Sequence, residues 1–256
     1  MTMPNSDLAL DHVAALLLVG GRGMQLAEAY PDLPKPLIPI AGRPFLEWQV
    51  RWLVRSGIRN IVLVASYQSE AIEAWARRRQ PVSGEKLHCY VEEEAMGTGG
   101  AVAQSLAAMP LLRDRPYTLI GNGDMLLLAD LAAGLNRMES EKSLSGLLYA
   151  VPVADTSEGV HLDIQDGLIT GMQDHREGIG IQNAGWYLMR TDWLSQSLPS
   201  KRCSLDGDVL RGALRHGAQL GVMTTNAPFI EITTPESIVW AEHFMKENKK
   251  VLKGTL

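Results

Sequence analysis

A glycine-rich turn after the first apolar run is the segment of this chain best suited to bind phosphate. The run Leu16-Leu17-Leu18-Val19 ends in Gly20-Gly21-Arg22-Gly23, and a lysine between two prolines follows at Pro34-Lys35-Pro36. Small residues after a buried strand let backbone N–H groups approach phosphate oxygens, and the prolines hold the lysine in a stiff backbone. The pattern predicts a nucleoside triphosphate site formed by Val19, Gly20, Gly21, Arg22, Gly23 and Lys35.

Two better-known glycine motifs do not describe this turn. No Gly-Lys-Ser/Thr follows at the spacing of a P-loop, and Leu26 stands where a dinucleotide fingerprint has its third glycine. A nicotinamide dehydrogenase is therefore a poor interpretation of the chain.

Composition narrows the class of protein. The chain has 256 residues, of which 46% are hydrophobic and 21% charged, with a net charge of -5. This is an ordinary globular composition without the basic balance that nucleic-acid binding needs. No run approaches the length of a membrane span, the start is not a signal peptide, and the two cysteines, Cys89 and Cys203, lie far apart. We expect a cytoplasmic protein that binds neither nucleic acid nor membrane.

Strand-like and helix-like segments alternate through the first half. This alternation predicts an α/β, Rossmann-like fold with a mixed, mainly parallel sheet flanked by helices, and ligands at the carboxyl ends of its strands. Later segments include a hairpin turning at Asp166-Gly167, a helix at Asp206–His216, a strand at Phe229–Ile232 and a helix starting at Thr234-Pro235. We predict one domain over residues 1–256, with a soft boundary at Ser143–Pro152.

Four motifs, taken in order, resemble the sugar-1-phosphate nucleotidyltransferase family, and most of all its heptose-1-phosphate guanylyltransferases. They are Gly20-Gly21-Arg22-Gly23, the segment from Pro34 to Pro44, Gly97-Thr98-Gly99-Gly100 and Gly121-Asn122-Gly123-Asp124. The resemblance implies a nucleotide-binding half over about 12–150 and a sugar-binding half over about 151–256. It implies in-line attack of a sugar-1-phosphate oxygen on the α-phosphorus of a nucleoside triphosphate. Such chemistry needs cations and Mg²⁺ more than an acid or base.

The resemblance assigns catalytic positions to Lys35, Gln25 and Asp124, and metal positions to Asp124 and Glu231. Asp124 ends an apolar strand beside small residues, which suits a hydrated Mg²⁺, although a strand-end cap is the simpler alternative. Glu231 stands where the family usually has aspartate, and its extra methylene lengthens the reach of the carboxylate.

The remaining predicted contacts divide between the two substrates. Glu92 matches the base-contacting position, and its carboxylate can accept from N1–H and N2–H of guanine, which favours GTP; a solvated charge run at Glu92-Glu93-Glu94 is the alternative. Gly97, Thr98 and Gly99 match the loop under the nucleotide. Sugar binding is expected from the group Asn122, Gly123, Asn183 and Gly185.

The family pattern breaks at several polar positions. Gln25 replaces an arginine that reaches the triphosphate, and Met172-Gln173-Asp174-His175 replaces a Glu-Lys pair. Arg22, Arg43, His175 and Arg176 are the candidates to compensate. Two hypotheses follow: an enzyme that makes a nucleotide sugar for surface polysaccharide, or a catalytically impaired relative that binds nucleotide or sugar phosphate as a regulator or partner. Exposure of the last helix, with Trp240, would indicate a homodimer.

Overall fold

The computed structural model describes residues 10–154, 159–174 and 178–248. Its strands are β1 (Val13–Leu18), β2 (Pro39–Ile40), β3 (Arg43–Pro44), β4 (Asn60–Ala65), β5 (Lys86–Val91), β6 (Tyr117–Asn122), β7 (Met125–Leu127), β8 (Gly146–Val153), β9 (His161–Gln165), β10 (Leu168–Gln173), β11 (Gly180–Arg190), β12 (Leu220–Thr224) and β13 (Phe229–Glu231). Its α-helices are α1 (Met24–Ala27), α2 (Phe45–Arg55), α3 (Ser69–Arg78), α4 (Gly97–Ala108), α5 (Pro110–Arg113), α6 (Leu131–Ser140), α7 (Thr191–Ser197), α8 (Arg211–Arg215) and α9 (Pro235–Glu247). A 3₁₀ turn spans Lys35–Leu37 and a π-helix spans Leu205–Leu210.

Nine strands form one mixed sheet in the order β5-β4-β1-β6-β11-β8-β12-β10-β9. The first four are mutually parallel, β11 is antiparallel to both β6 and β8, and β8 and β12 are parallel. The predicted α/β class with a mixed, mainly parallel sheet is confirmed. β11 is the switch in direction, and it places residues of the second half beside the carboxyl end of β6.

The apolar character of the central strands follows from their burial on both faces. All six residues of β4 are buried, as are five of the six in β1, and alternate residues enter separate hydrophobic clusters on the two sides of the sheet. A parallel strand covered on both faces reads as a continuous apolar run. The helix α2 packs Phe45, Trp48 and Trp52 into one of these clusters, so its aromatic stripe is core.

The structure corrects one later prediction and locates two others in the fold. The predicted boundary at Ser143–Pro152 falls largely on β8, which pairs with β11 and β12 inside the sheet, so the two halves share one sheet. The segment Asp206–His216 is a π-helix followed by α8, not one regular helix. Finally, β13 joins β7 in a separate two-stranded ribbon.

The predicted start of the last helix is confirmed in detail. The Thr234 hydroxyl accepts from the backbone N–H of Ser237, and the Ser237 hydroxyl accepts from the backbone N–H of Thr234. This capping box, with Pro235 in the first turn, satisfies N–H groups that a helix start leaves without partners. None of the helices in the described ranges has the length and apolar content that crossing a bilayer requires.

Candidate active site

A cavity of about 290 Å³ opens at the carboxyl ends of the parallel strands. The ends of β1, β4 and β6 form its floor through Leu18, Val64 and Asn122. Five predicted nucleotide contacts line it, namely Gly20, Gly21, Glu92, Gly97 and Thr98, together with the catalytic candidates Lys35 and Asp124. Asn122 and Gly123, which were predicted as sugar contacts, line this first cavity as well. The fold therefore brings into one cavity residues that are up to about a hundred positions apart in the chain.

Two glycines of the first turn differ in what a side chain at their position would contact. A Cβ at Gly21 would meet nothing within 4 Å, so its backbone faces open space at the cavity. Gly23 has a left-handed φ of 57° and a Cβ there would lie 2.9 Å from Cβ of Lys35. Gly23 thus permits both the turn and the close passage of the Lys35 stem. Val19 is fully buried, and its N–H donates to Val64, so its backbone supports the turn from below.

Lys35 and Asp124 form an ion pair in the cavity. The Lys35 ammonium lies 2.8 Å from Oδ2 of Asp124, and the two side chains are 11% and 28% exposed. Lys35 is the first residue of the 3₁₀ turn that follows Pro34. The loop that carries Asp124 is held against β1, because the N–H of Gly123 donates to the carbonyl of Leu18 at 2.9 Å. A cation and a carboxylate are therefore placed together at the carboxyl ends of the parallel strands, where α/β folds bind their ligands.

The start of α4 is hydrogen-bonded to residues 203–205, which are distant in the sequence. The N–H of Gly99 donates to the carbonyl of Cys203 at 2.9 Å, and the Thr98 hydroxyl accepts from the N–H of Leu205 at 2.8 Å. A Cβ at Gly97 or Gly99 would collide with Cys203, at 2.6 Å from its carbonyl oxygen and 2.7 Å from its sulfur respectively. Gly97 and Thr98 line the cavity, whereas Gly99 is buried against Cys203, so its N–H is occupied within the protein.

Glu92 is positioned by its own loop. One carboxylate oxygen accepts from the N–H of Met96 at 3.1 Å, and the residue lines the cavity. Burial raises the pKa of the Glu92 carboxyl, against the smaller opposing effect of the Met96 hydrogen bond. Glu92 is therefore a fixed hydrogen-bond acceptor and not part of a freely solvated charge run.

A second cavity, of about 260 Å³, adjoins the first and shares Asn122 with it. It is lined by residues of β11 and its neighbours, including the predicted Asn183, Gly185 and Glu231. The register of β11 against β8 shifts between Asn183 and Trp186, where Gly185 takes a φ of 68°. A Cβ at Gly185 would stand 2.7 Å from the Asn122 amide nitrogen, so glycine here is required by the protein's own packing.

The sequence reasoning missed the polar floor of this second cavity. Asp206, at the start of the π-helix, accepts from the Tyr187 hydroxyl at 2.9 Å and from the Asn183 amide at 3.0 Å. Burial raises the pKa of Asp206 to about 6, although the Tyr187 hydrogen bond and the charge of Arg211 oppose the shift. The one signal in the sequence was the helix predicted at Asp206–His216, which begins at Asp206.

Of the two carboxylates assigned to a metal, Asp124 lies in the turn between β6 and β7, and Glu231 ends β13, which pairs with β7. Glu231 pairs with Met125, the residue after Asp124, and the N–H of Ile232 donates to the carbonyl of Asp124 at 2.9 Å. The buried Gln49 amide holds the same loop by donating to the carbonyls of Asn122 and Met125. Within the described ranges no group of three or more His, Cys, Asp or Glu side chains could hold a metal. Two carboxylates beside a phosphate cavity suit Mg²⁺, which keeps waters and binds through few protein ligands.

Of the positions that depart from the family pattern, Glu231 lines the second cavity, whereas Gln25 and Asp174 line neither cavity. Gln25 is exposed on α1 and lines neither cavity. The Arg22 guanidinium stacks over Tyr67 at 5.2 Å and that of Arg43 over Trp48 at 5.4 Å. His175 and Arg176 lie outside the described residues. Asp174 is held by a two-point ion pair to Arg211, a cation that the sequence reasoning did not consider.

Fold and site together define the class of α/β proteins that bind ligands at the carboxyl ends of a mainly parallel sheet, here in two adjoining cavities. The sequence profile of the nucleotidyl transferase family matches residues 14–173, and the chain belongs to this family. The chain is 29% identical to the D-glycero-alpha-D-manno-heptose 1-phosphate guanylyltransferase of Campylobacter jejuni, over 91% of this chain and 99% of the relative. The protein of that name from Aneurinibacillus thermoaerophilus is 28% identical over 87% of this chain and 94% of its own.

Solved structures agree with this assignment. HddC from Yersinia pseudotuberculosis, in a crystal structure complexed with GMP-PN, superposes with a TM-score of 0.76 at 27% identity, over 90% of this chain and 98% of that one. The predicted family resemblance is confirmed.

Proposed function

We propose that this protein transfers GMP from GTP to a heptose-type sugar-1-phosphate and releases pyrophosphate. The observation that carries the proposal is the pair of adjoining cavities that meet at Asn122, with Lys35 and Asp124 on one side and Glu231 on the other. Transfer between two anions requires two subsites and cationic groups where they meet. The names of the guanylyltransferase relatives support the choice of substrates.

In the proposed reaction, a phosphate oxygen of the acceptor attacks the α-phosphorus of GTP. A new P–O bond forms as the bond to the bridging oxygen breaks, and the electron pair leaves with pyrophosphate. No side chain becomes covalently attached. The backbone of Gly20 and Gly21 binds the phosphate chain, and Lys35 neutralises charge that grows on it in the transition state.

Asp124 and Glu231 are the residues that would hold Mg²⁺. The ion would neutralise phosphate charge and polarise the P–O bonds. Asp124 is already arranged to hold a cation, since its carboxylate binds the Lys35 ammonium in the structure. The Gln49 amide fixes the backbone on both sides of Asp124 and so limits the orientations of the carboxylate.

Guanine is the base that best suits Glu92. The carboxylate lines the first cavity and has one oxygen occupied by Met96, which leaves acceptor capacity for the adjacent N1–H and N2–H donors of guanine. Adenine offers no such pair of donors on one edge, and uracil offers a single N–H.

We further propose that the nucleotide sugar serves surface polysaccharide synthesis in the cytoplasm and that the protein is a homodimer. Support for the dimer comes from the last helix, where Trp240 is 70% and Val239 56% exposed. The same helix buries Ile238, Ala241 and Met245, so Val239 and Trp240 are large apolar side chains left on its outward side, where a second copy could cover them. Light scattering with size-exclusion chromatography, on the wild type and a Trp240→Glu variant, tests it.

The deciding experiment measures pyrophosphate release with Mg²⁺, each of the four common nucleoside triphosphates, and a panel that includes heptose-1-phosphate and mannose-1-phosphate. Release that requires both GTP and an acceptor is the expected result. Tight GTP binding without release for any pair would favour the alternative of a catalytically impaired relative.

The base assignment has its own matched variants. Glu92→Gln should lower kcat/KM for GTP by about 10-fold or more, since a carboxylate acceptor is replaced by a neutral amide. Glu93→Gln removes the same charge from an exposed neighbour that does not line the cavity, and should leave kcat/KM unchanged. Equal effects of the two substitutions would contradict a contact between Glu92 and the base.

A further inference from the structure

The floor of the second cavity contains a carboxylate with unused hydrogen-bonding capacity. Asp206 lines the cavity and is held from two sides by the Tyr187 hydroxyl and the Asn183 amide. Both donors contact Oδ1 of Asp206. The Tyr187 hydroxyl also lies 2.9 Å from Oδ2, so the two carboxylate oxygens share its hydrogen bond. A carboxylate offers about four acceptor positions, so acceptor sites remain for a ligand.

Asn183, by contrast, has its amide committed within the protein. Its nitrogen donates to both Tyr187 and Asp206, and its oxygen accepts from the N–H of Gly185 at 3.1 Å. Its side chain is also buried, with 5% of the residue exposed. Asn183 is therefore a positioning residue, and the group it positions is the Asp206 carboxylate.

The orientation of Asp206 is enforced from the nucleotide side as well. The preceding residue, Leu205, donates its N–H to the Thr98 hydroxyl, and Cys203 accepts from Gly99 at the start of α4. Arg211, paired with Asp174, is the neighbouring cation whose charge favours the ionised form of Asp206. The carboxylate is thus a fixed, polar group and not a side chain that turns to solvent.

Resting on the function proposed above, we propose that Asp206 selects the acceptor sugar by accepting hydrogen bonds from its ring hydroxyls. A charged acceptor in a narrow cavity favours a neutral polyol that presents O–H donors. It disfavours a uronate, because of like charge, and an acetamido carbonyl, because two acceptors would face each other. The proposal places the sugar contact on a residue of the π-helix, with Asn183 as the side chain that positions it.

The test uses acceptor binding, so that it does not depend on turnover. Mannose-1-phosphate and heptose-1-phosphate are titrated by calorimetry into the full chain with Mg²⁺ and a non-hydrolysable GTP analogue. Asp206→Asn should weaken binding of whichever acceptor the wild type prefers by about 10- to 100-fold, the range expected for a charged hydrogen bond, and leave analogue affinity unchanged. Asp208→Asn is the matched control, because Asp208 lies on the same π-helix outside this cavity.

A second arm identifies the group that Asp206 contacts. Deoxy acceptors that lack one ring hydroxyl should bind the wild type more weakly, and for one such analogue Asp206→Asn should cause no further loss. Thermal unfolding of each variant checks folding, and Tyr187→Phe, which keeps the carboxylate but removes its donor, should weaken binding less than Asp206→Asn.

The outcomes separate the two proposals. Unchanged acceptor affinity in Asp206→Asn, or no acceptor binding by the wild type, would overturn the role of Asp206. Acceptor binding that depends on Asp206, in a wild type that releases no pyrophosphate, would support the role and refute only the proposed transferase activity.

Discussion

Replacing Lys35 with methionine should change turnover and metal affinity in opposite directions. The ammonium lies 2.8 Å from the Asp124 carboxylate, so in the absence of nucleotide it competes with Mg²⁺ for that oxygen. With nucleotide bound, the same ammonium is expected on the phosphates. Lys35→Met keeps the apolar stem that packs beneath Gly23 and removes only the charge.

The size of both effects follows from the contact. Two unit charges at this distance attract by about 1.5 kcal/mol in bulk water and about 6 kcal/mol at an effective dielectric constant of about 20. Because Asp124 is 28% exposed, the lower end applies, and Mg²⁺ affinity of the free protein should rise by about 5- to 10-fold. Loss of a preorganised cation from the transition state should reduce kcat by about 10²- to 10³-fold.

Mg²⁺ affinity is measured by calorimetry on nucleotide-free protein, and kcat by pyrophosphate release at saturating substrates. Lys142→Met, at an exposed position away from both cavities, is the control for loss of one positive charge. A variant that bound Mg²⁺ more weakly than wild type would refute competition at Asp124. Turnover within a few-fold of wild type would refute the phosphate role.

Three further predictions concern stability. Thr98→Val should destabilise the fold by about 1–3 kcal/mol in urea unfolding, because the Leu205 N–H loses its acceptor, while Thr98→Ser should keep it; equal losses would disprove the role of the hydroxyl. Gly99→Ala should cost about 1–3 kcal/mol through contact with the Cys203 sulfur, whereas Gly21→Ala, with nothing within 4 Å, should leave the free energy of unfolding nearly unchanged. Burial raises the pKa of Asp206 to about 6 in the folded state, so between pH 6 and 4 the native protein binds a proton that the unfolded chain does not. The free energy of unfolding of the wild type, relative to that of Asp206→Asn, should therefore increase as the pH falls from about 6 to 4. A difference between the two proteins that does not change with pH would contradict this.

The nucleotide side of the site was largely predictable because its residues follow strands. Gly20, Gly21, Gly123 and Asp124 come directly after apolar runs, and parallel strands deliver their carboxyl ends to the same edge of a sheet. Knowing the strand positions was therefore enough to group them. Lys35 was predicted from the prolines on either side of it, and the structure shows the ion pair with Asp124 that no spacing along the chain encodes.

The acceptor side was less predictable because it depends on contacts across the sheet. The antiparallel β11 and its bulge bring Asn183 to the carboxyl end of β6, and the π-helix brings Asp206 beneath it. Neither a bulge nor a π-helix has a reliable pattern in one sequence. For that reason Asn183 was predicted as a sugar contact and Asp206 as an ordinary helix residue.

The sequence by itself determined the class of fold, the glycine-rich turn after β1 and the family, because burial on both faces of a parallel sheet imposes apolar runs and because glycines follow from backbone geometry. Only the tertiary structure decided what each polar group does. Gly99 packs against Cys203, Gln25 is an exposed residue outside both cavities, and Asp206 lines the second cavity. The physical reason is that hydrogen bonds and ion pairs act over a few ångströms in space, and the partners here are separated by up to about a hundred residues of chain.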